Sequence, residues 1–145
     1  MIGFLLLAIL AGALLPVQTG INLQLRGVFG QPIVAALVSF IVGTIGLALL
    51  VTALRAPMPL GEAWARSAWW NWIGGLLGAV YIVAAIVLAP RLGAATLVAA
   101  LVAGQMVASL LIDHFGWVGF AIHPVNPLRI LGAALVVGGV VLVQR

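Results

Sequence analysis

The chain has 145 residues, of which 66% are hydrophobic and only 6% are charged. Soluble domains carry about 25% charged residues, so this composition excludes a water-soluble globular surface. The net charge of +4 comes from Arg residues scattered singly along the chain, which excludes the basic patch that nucleic acid requires. No cysteine occurs, so disulfides, thiolate catalysis and Cys-ligated metals are excluded as well. The composition therefore indicates an integral membrane protein.

Five apolar stretches are long enough to cross a membrane as helices, which takes about 20 residues each. Charged residues, Pro and Gly collect between the stretches and set their limits. The expected fold is an all-α bundle of about five transmembrane helices that forms one domain over residues 1–145. The predicted helices run over about 3–25, 32–54, 69–89, 92–112 and 128–143.

In this arrangement the arginines divide evenly between the two sides of the membrane. By the positive-inside rule, an excess of positive charge on one side sets the orientation of the chain, and here there is no excess. One interpretation is that the chain inserts in both orientations and that opposite copies pair as an antiparallel homodimer. The other is that six charges are too few to decide the orientation. Arg55, Arg66 and Arg129 fall on the side of the N-terminus, and Arg26, Arg91 and Arg145 fall on the other side.

The first predicted helix carries polar residues on one face. Gln18 and Asn22 are four residues apart, and Arg26 continues the same face. Pro16 precedes them and removes the backbone hydrogen bond to the carbonyl of Gly12, which predicts a kink. A freed carbonyl beside a polar stripe is typical of a helix that lines a cavity. The alternative is that these side chains only form hydrogen bonds between packed helices.

The fourth predicted helix repeats the pattern with Gln105, Ser109 and Asp113. Asp113 and its neighbour His114 are the titratable pair beside a span, and they are the candidates for proton coupling. Asp113 has structural alternatives as an N-cap or interface residue, or as a partner for Arg66 or Arg129.

Small residues at helix-packing spacing occur in the third and fourth predicted helices. Gly74 and Gly78 in the third helix and Gly104 in the fourth allow close backbone approach, which favours helix association in lipid. Asn71 and Tyr81 are predicted to share the broad face of the two third-helix glycines. A ligand is therefore also expected to have access to this face.

The sequence lacks the motifs of hydrolases, zinc peptidases and phosphate-binding loops, so we predict no enzyme activity and no cofactor. The two histidines, His114 and His123, together with Asp113 match no established metal-site spacing, and no metal is predicted.

A series of short motifs runs through the whole chain. The series comprises Pro16-Val17-Gln18 with Asn22, Ser39-Phe40 with Gly43, Trp72-Ile73-Gly74-Gly75 with Gly78, Ala89-Pro90 with Gly93, Gly104-Gln105, Ser109 followed by Asp113-His114-Phe115-Gly116, and Gly132 with Gly139-Val140. Together these motifs resemble the YdcZ-like inner-membrane exporters of the drug/metabolite transporter superfamily.

The resemblance implies a half-sized transporter in the bacterial inner membrane. Larger members of that superfamily look like two such units fused with opposite topology, an inverted repeat with the substrate site near the membrane midplane. This favours the antiparallel homodimer. Small multidrug-resistance members use a Glu in the first helix, whereas this chain has Gln18 and Asn22 there. The difference argues against cationic-drug export that depends on such a Glu.

Two hypotheses for the function follow. The first is a secondary transporter that exports a small metabolite or amphipathic compound by alternating access, surrounded by membrane lipid. The second is a non-transporting structural subunit that packs with a partner protein or with lipid. The first predicts a substrate path lined by Gln18, Asn22, Asn71, Tyr81, Gln105 and Ser109.

Overall fold

The computed structural model describes residues 1–144, and every regular element among them is helical. This confirms the all-α class. Arg145, which enters the charge balance above, lies outside the described residues. The α-helices are α1 (Ile2–Phe29), α2 (Pro32–Ala53), α3 (Leu60–Arg66), α4 (Gly74–Leu92), α5 (Ala94–Phe115) and α6 (Pro127–Val143).

Within residues 1–144, four helices are long and apolar enough to cross a membrane, namely α1, α2, α4 and α5. The fifth apolar helix, α6, has 17 residues and is therefore about 26 Å long. A typical hydrocarbon core is about 30 Å thick, so α6 is at the lower limit for a span. Five crossings therefore stay a prediction.

The third long helix begins later than the predicted range of 69–89. Trp69–Trp72 forms a separate 3-10 turn, and α4 runs from Gly74 to Leu92. Side-chain contacts hold the turn, because the Trp72 indole Nε1 donates a 2.8 Å hydrogen bond to Ser67 Oγ and its ring packs against Trp64. At the other end α4 continues through Pro90 and stops before Gly93.

Gly93 is the single residue between α4 and α5, and its φ of 76° explains why a glycine stands there. Its backbone N–H donates to the Ala89 carbonyl at 2.9 Å, which satisfies one of the last carbonyls of α4. A side chain at this position would strain the left-handed backbone.

The helices form two compact units, Met1–Val87 and Leu88–Arg145. In the first unit, α1 packs against α2, and α2 and α4 share a buried cluster of Ala35, Ala36, Ile82 and Ile86. In the second unit, α5 packs against α6, and the buried side chains are Leu97, Ala103 and Ala133 together with Ala89.

The predicted packing glycines differ in their surroundings. A Cβ built on Gly78 would lie 3.5 Å from Cζ of Phe40 in α2, which is an ordinary van der Waals contact. A Cβ built on Gly74 or Gly104 would meet no atom within 4 Å. Gly78 therefore lies beside Phe40 of α2, and the packing roles of all three glycines stay predictions.

We expect Gly78→Leu to lower the stability of the protein, because its larger side chain must displace the Phe40 ring. Overpacking of this kind costs about 1–3 kcal/mol. Gly75→Leu is the matched control, since it lies in the same helix and a Cβ there meets no atom within 4 Å. Thermal unfolding of both variants in detergent measures the difference. Equal melting temperatures would show that the contact with Phe40 adds nothing to stability.

Candidate functional site

Asn22 is the buried polar residue of α1. Its side chain is 1% exposed, and its amide Nδ2 has no hydrogen-bond partner among the described residues. Its neighbours Leu23 and Leu25 pack against the buried cluster of α2 and α4. An unpaired buried amide costs about 1–3 kcal/mol, so the fold keeps a destabilising group at this position.

Arg26 lies one turn after Asn22 and links α1 to α4. Its Nη1 donates a 3.1 Å hydrogen bond to the backbone carbonyl of Ile86. This carbonyl is available because the residue four positions later is Pro90, which has no N–H to donate to it. Pro90 therefore leaves the Ile86 carbonyl without a donor from its own helix, and Arg26 of α1 supplies the donor instead.

The other predicted path residues of the first unit, and the predicted kink residue Pro16, have varied environments. Gln18 is exposed and Pro16 is half-buried. Tyr81 is half-buried and packs against the buried cluster that α2 and α4 share. Asn71 lies in the 3-10 turn before α4 and is exposed. Asn71 therefore precedes the helix that carries Gly74 and Gly78, which begins at Gly74, and its place in the path stays a prediction.

In the second unit, the polar stripe of α5 divides into two parts. Gln105 and Ser109 are exposed. Asp113 is held at the end of the helix by an ion pair between its Oδ2 and Nη2 of Arg129. Its backbone carbonyl also accepts a 2.8 Å hydrogen bond from the N–H of His123. The structural alternative for Asp113, a partner for Arg129, is therefore present in the fold.

The segment between α5 and α6 borders an open pocket of about 390 Å³. Arg129 crosses it and donates from Nη1 to the His123 carbonyl at 2.7 Å. Asn126 caps α6 by accepting a 2.9 Å hydrogen bond from the Arg129 N–H. His114 Nδ1 accepts from the Val125 N–H at 3.2 Å, so both members of the proposed proton-coupling pair contact the loop. The pocket is lined by Asp113, His123, Pro124, Asn126 and Arg129.

Within residues 1–144, no group of three or more His, Asp or Glu side chains is arranged to hold a metal ion.

Sequence reasoning missed the bond from Arg26 to Ile86. The sequence did contain a signal for the free acceptor. Proline has no N–H to donate to the carbonyl four residues earlier, so Pro90 predicts a free Ile86 carbonyl just as Pro16 predicts a free Gly12 carbonyl. Sequence spacing does not identify the donor that reaches such a carbonyl. Only the packing of α1 beside α4 shows that this donor is Arg26.

Pro90→Ala should reduce the contribution of Arg26 to stability, since the new N–H competes for the Ile86 carbonyl. We expect Arg26→Met alone to cost about 1–3 kcal/mol, because the carbonyl loses a charged donor. In the Pro90→Ala background the same change should cost at least about 1 kcal/mol less. A double-mutant cycle of unfolding in detergent measures this coupling. Additive effects of the two changes would contradict the pairing.

Comparison with known proteins gives one family and one curated relative. A family model described as "Putative inner membrane exporter, YdcZ" matches residues 3–142. The "Inner membrane protein YdcZ" of Escherichia coli (strain K12) is 32% identical over 142 residues, which covers 94% of this chain and 91% of that protein. No solved structure matches the chain.

Proposed function

Since the chain belongs to the YdcZ family of inner-membrane exporters, we propose that it is a secondary transporter that exports a small metabolite or amphipathic compound by alternating access. Family membership places the chain in the inner membrane as a multi-pass protein, and among transporters rather than enzymes. The finer assignment of substrate type, mechanism and assembly is our proposal.

The observation that carries the proposal is the exposure of amide side chains on membrane-spanning helices. Gln18 in α1 and Gln105 in α5 are exposed within apolar spans. An amide in hydrocarbon without a partner costs several kcal/mol, on the order of 4–8 for transfer to an alkane. Such groups are stable in a membrane when they line a water-filled path or meet another polar group. A substrate path satisfies this requirement.

We propose that the path forms in an antiparallel homodimer, with α6 as the fifth crossing of each copy. Two opposed copies reproduce the inverted-repeat arrangement of larger transporters. The faces of Gly74 and Gly104, where a Cβ meets no atom within 4 Å, offer close contact to a second copy. The path residues of this proposal are Gln18, Asn22, Asn71, Tyr81, Gln105 and Ser109.

Proton coupling, in this proposal, acts through Asp113 and His114. A proton that neutralises Asp113 removes the charge that holds Arg129, and this change loosens the contact between α5 and α6. His114 lies beside this pair and contacts the same loop through Val125. Protonation would thereby change the geometry of the second unit.

Gln18→Leu and Gln105→Leu should each reduce the transport rate at least about tenfold while the protein stays folded. Each change removes a hydrogen-bonding group from the path, and a tenfold loss of rate corresponds to a barrier raised by about 1.4 kcal/mol. The measurement is flux into liposomes that contain the purified protein, across a panel of neutral, zwitterionic and charged metabolites, with and without a pH gradient. Gln24→Leu is the matched control, since Gln24 is exposed on the same helix but off the Gln18–Asn22 face.

Wild-type flux that survives both Gln→Leu changes would remove these residues from the path. Flux that ignores the pH gradient, and that Asp113→Asn leaves unchanged, would exclude the proposed proton coupling. If no panel compound moves, the structural-subunit hypothesis is favoured over transport.

Orientation provides a separate test of the antiparallel dimer. C-terminal reporters that work on only one side of the membrane should both give signal in the wild type. Arg91→Gln removes one positive charge from the side opposite the N-terminus, so it should drive the C-terminus to the outer face. Glu62→Gln is the control, because acidic residues contribute little to orientation. A single wild-type orientation that Arg91→Gln does not alter would contradict dual topology.

A further inference from the structure

We propose that Asn22 and Arg26 form a recognition site for an oxyanion, and that the exported substrate therefore carries a carboxylate. This inference rests on the transport function proposed above and names the class of substrate. It differs from the expectation for the amides alone, which suit neutral or zwitterionic compounds.

The first part of the site is a donor without an acceptor. Nδ2 of Asn22 is buried and has no hydrogen-bond partner among the described residues. Native proteins pair nearly all such groups, and an exception that persists calls for an explanation. An acceptor supplied by a bound substrate satisfies the amide without any change elsewhere in the fold.

The second part is a cation that has unused donors. A guanidinium has five N–H groups, and within the described residues that of Arg26 donates to the Ile86 carbonyl alone. Arg26 lies four residues after Asn22, so the two side chains are neighbours on one helix face. Paired N–H groups of arginine match the two oxygens of a carboxylate.

Neither acidic residue of the chain pairs with Arg26, so its guanidinium is able to bind an external anion. The sequence contains two acids, Glu62 and Asp113. Asp113 is paired with Arg129. Glu62 follows the C-terminal end of α2, whereas Arg26 precedes its N-terminal end, and the 22 residues of α2 span about 33 Å.

Asn22 and Arg26 lie at different depths in the membrane, and this difference distinguishes a substrate from a lipid headgroup as the ligand. A phospholipid phosphate at the membrane surface is able to reach Arg26, which is half-buried in the last turn of α1. Asn22 lies about 6 Å deeper along the helix and is shielded from lipid, because its side chain is 1% exposed. A ligand that needs both residues is therefore a small carboxylate that reaches below the membrane surface to the buried amide.

Three probes of one shape test the charge preference, namely benzoate, benzamide and benzylamine. We expect benzoate to raise the melting temperature of the purified protein in detergent by roughly 3–6 °C at saturation. Benzamide and benzylamine should not. Arg26→Gln and Asn22→Leu should each weaken the benzoate effect at least about tenfold in midpoint concentration, and Arg26→Lys should restore part of it.

Two comparisons separate recognition from structure. Arg91→Gln changes the charge balance of the same membrane side as Arg26→Gln and should keep the benzoate effect. Asn22→Leu should leave the ligand-free melting temperature unchanged or raise it, because it removes the unpaired amide. A large loss of ligand-free stability in Asn22→Leu, or loss of the benzoate effect in Arg91→Gln, would overturn the site.

The source of the anion is tested by adding phosphatidylglycerol to the micelles. If this lipid reproduces the shift, competes with benzoate and still acts on Asn22→Leu, the site is a lipid site and the substrate assignment is wrong. A shift with benzamide, or none with benzoate, also overturns it. Liposome flux of a neutral compound that depends on Gln18 would in those cases leave the transport proposal intact.

Discussion

One hydrogen bond links the first and the last helix of the first unit, from Arg26 Nη1 in α1 to the backbone carbonyl of Ile86 in α4. Pro90 leaves that carbonyl without its helical partner, and Ile86 is fully buried, so water does not replace the missing donor. The arginine brings α1 to α4 at the level where Ala35 and Ala36 of α2 are buried. Asn22 lies one turn before Arg26 and is buried, and its amide stays unpaired.

The second unit meets the same demand in a different way. Its acidic residue, Asp113, pairs with Arg129, and Arg129 also donates to the His123 carbonyl. Asn126 caps α6, so the loop between α5 and α6 is rich in completed hydrogen bonds. One unit thus holds an unpaired donor beside a cation, and the other holds an ion pair. That difference is the reason to look for ligand recognition in the first unit and for a titratable contact in the second.

The sequence was sufficient to predict the helical class, the membrane location and the family, because hydrophobic runs and a series of motifs carry that information. The start of α4 could not be predicted, since apolar Trp residues extend the run although the Trp72–Ser67 hydrogen bond holds them in a separate turn. The exposure of the polar side chains in α1 could not be predicted from the sequence either. Gln18 and Asn22 share a face by spacing, yet one is exposed and the other buried. Helix neighbours decide that difference, and spacing within one helix does not contain them.

The short length of α6 has a consequence for the lipid around the protein. In the proposed arrangement of five crossings, a helix about 26 Å long spans a core about 30 Å thick and draws the two leaflets together near its ends. The mismatch costs a fraction of a kcal/mol per ångström, and lipids with shorter acyl chains reduce this cost. Bilayer thickness would then become a variable that tunes this protein, and membranes rich in shorter chains would favour its fully inserted form.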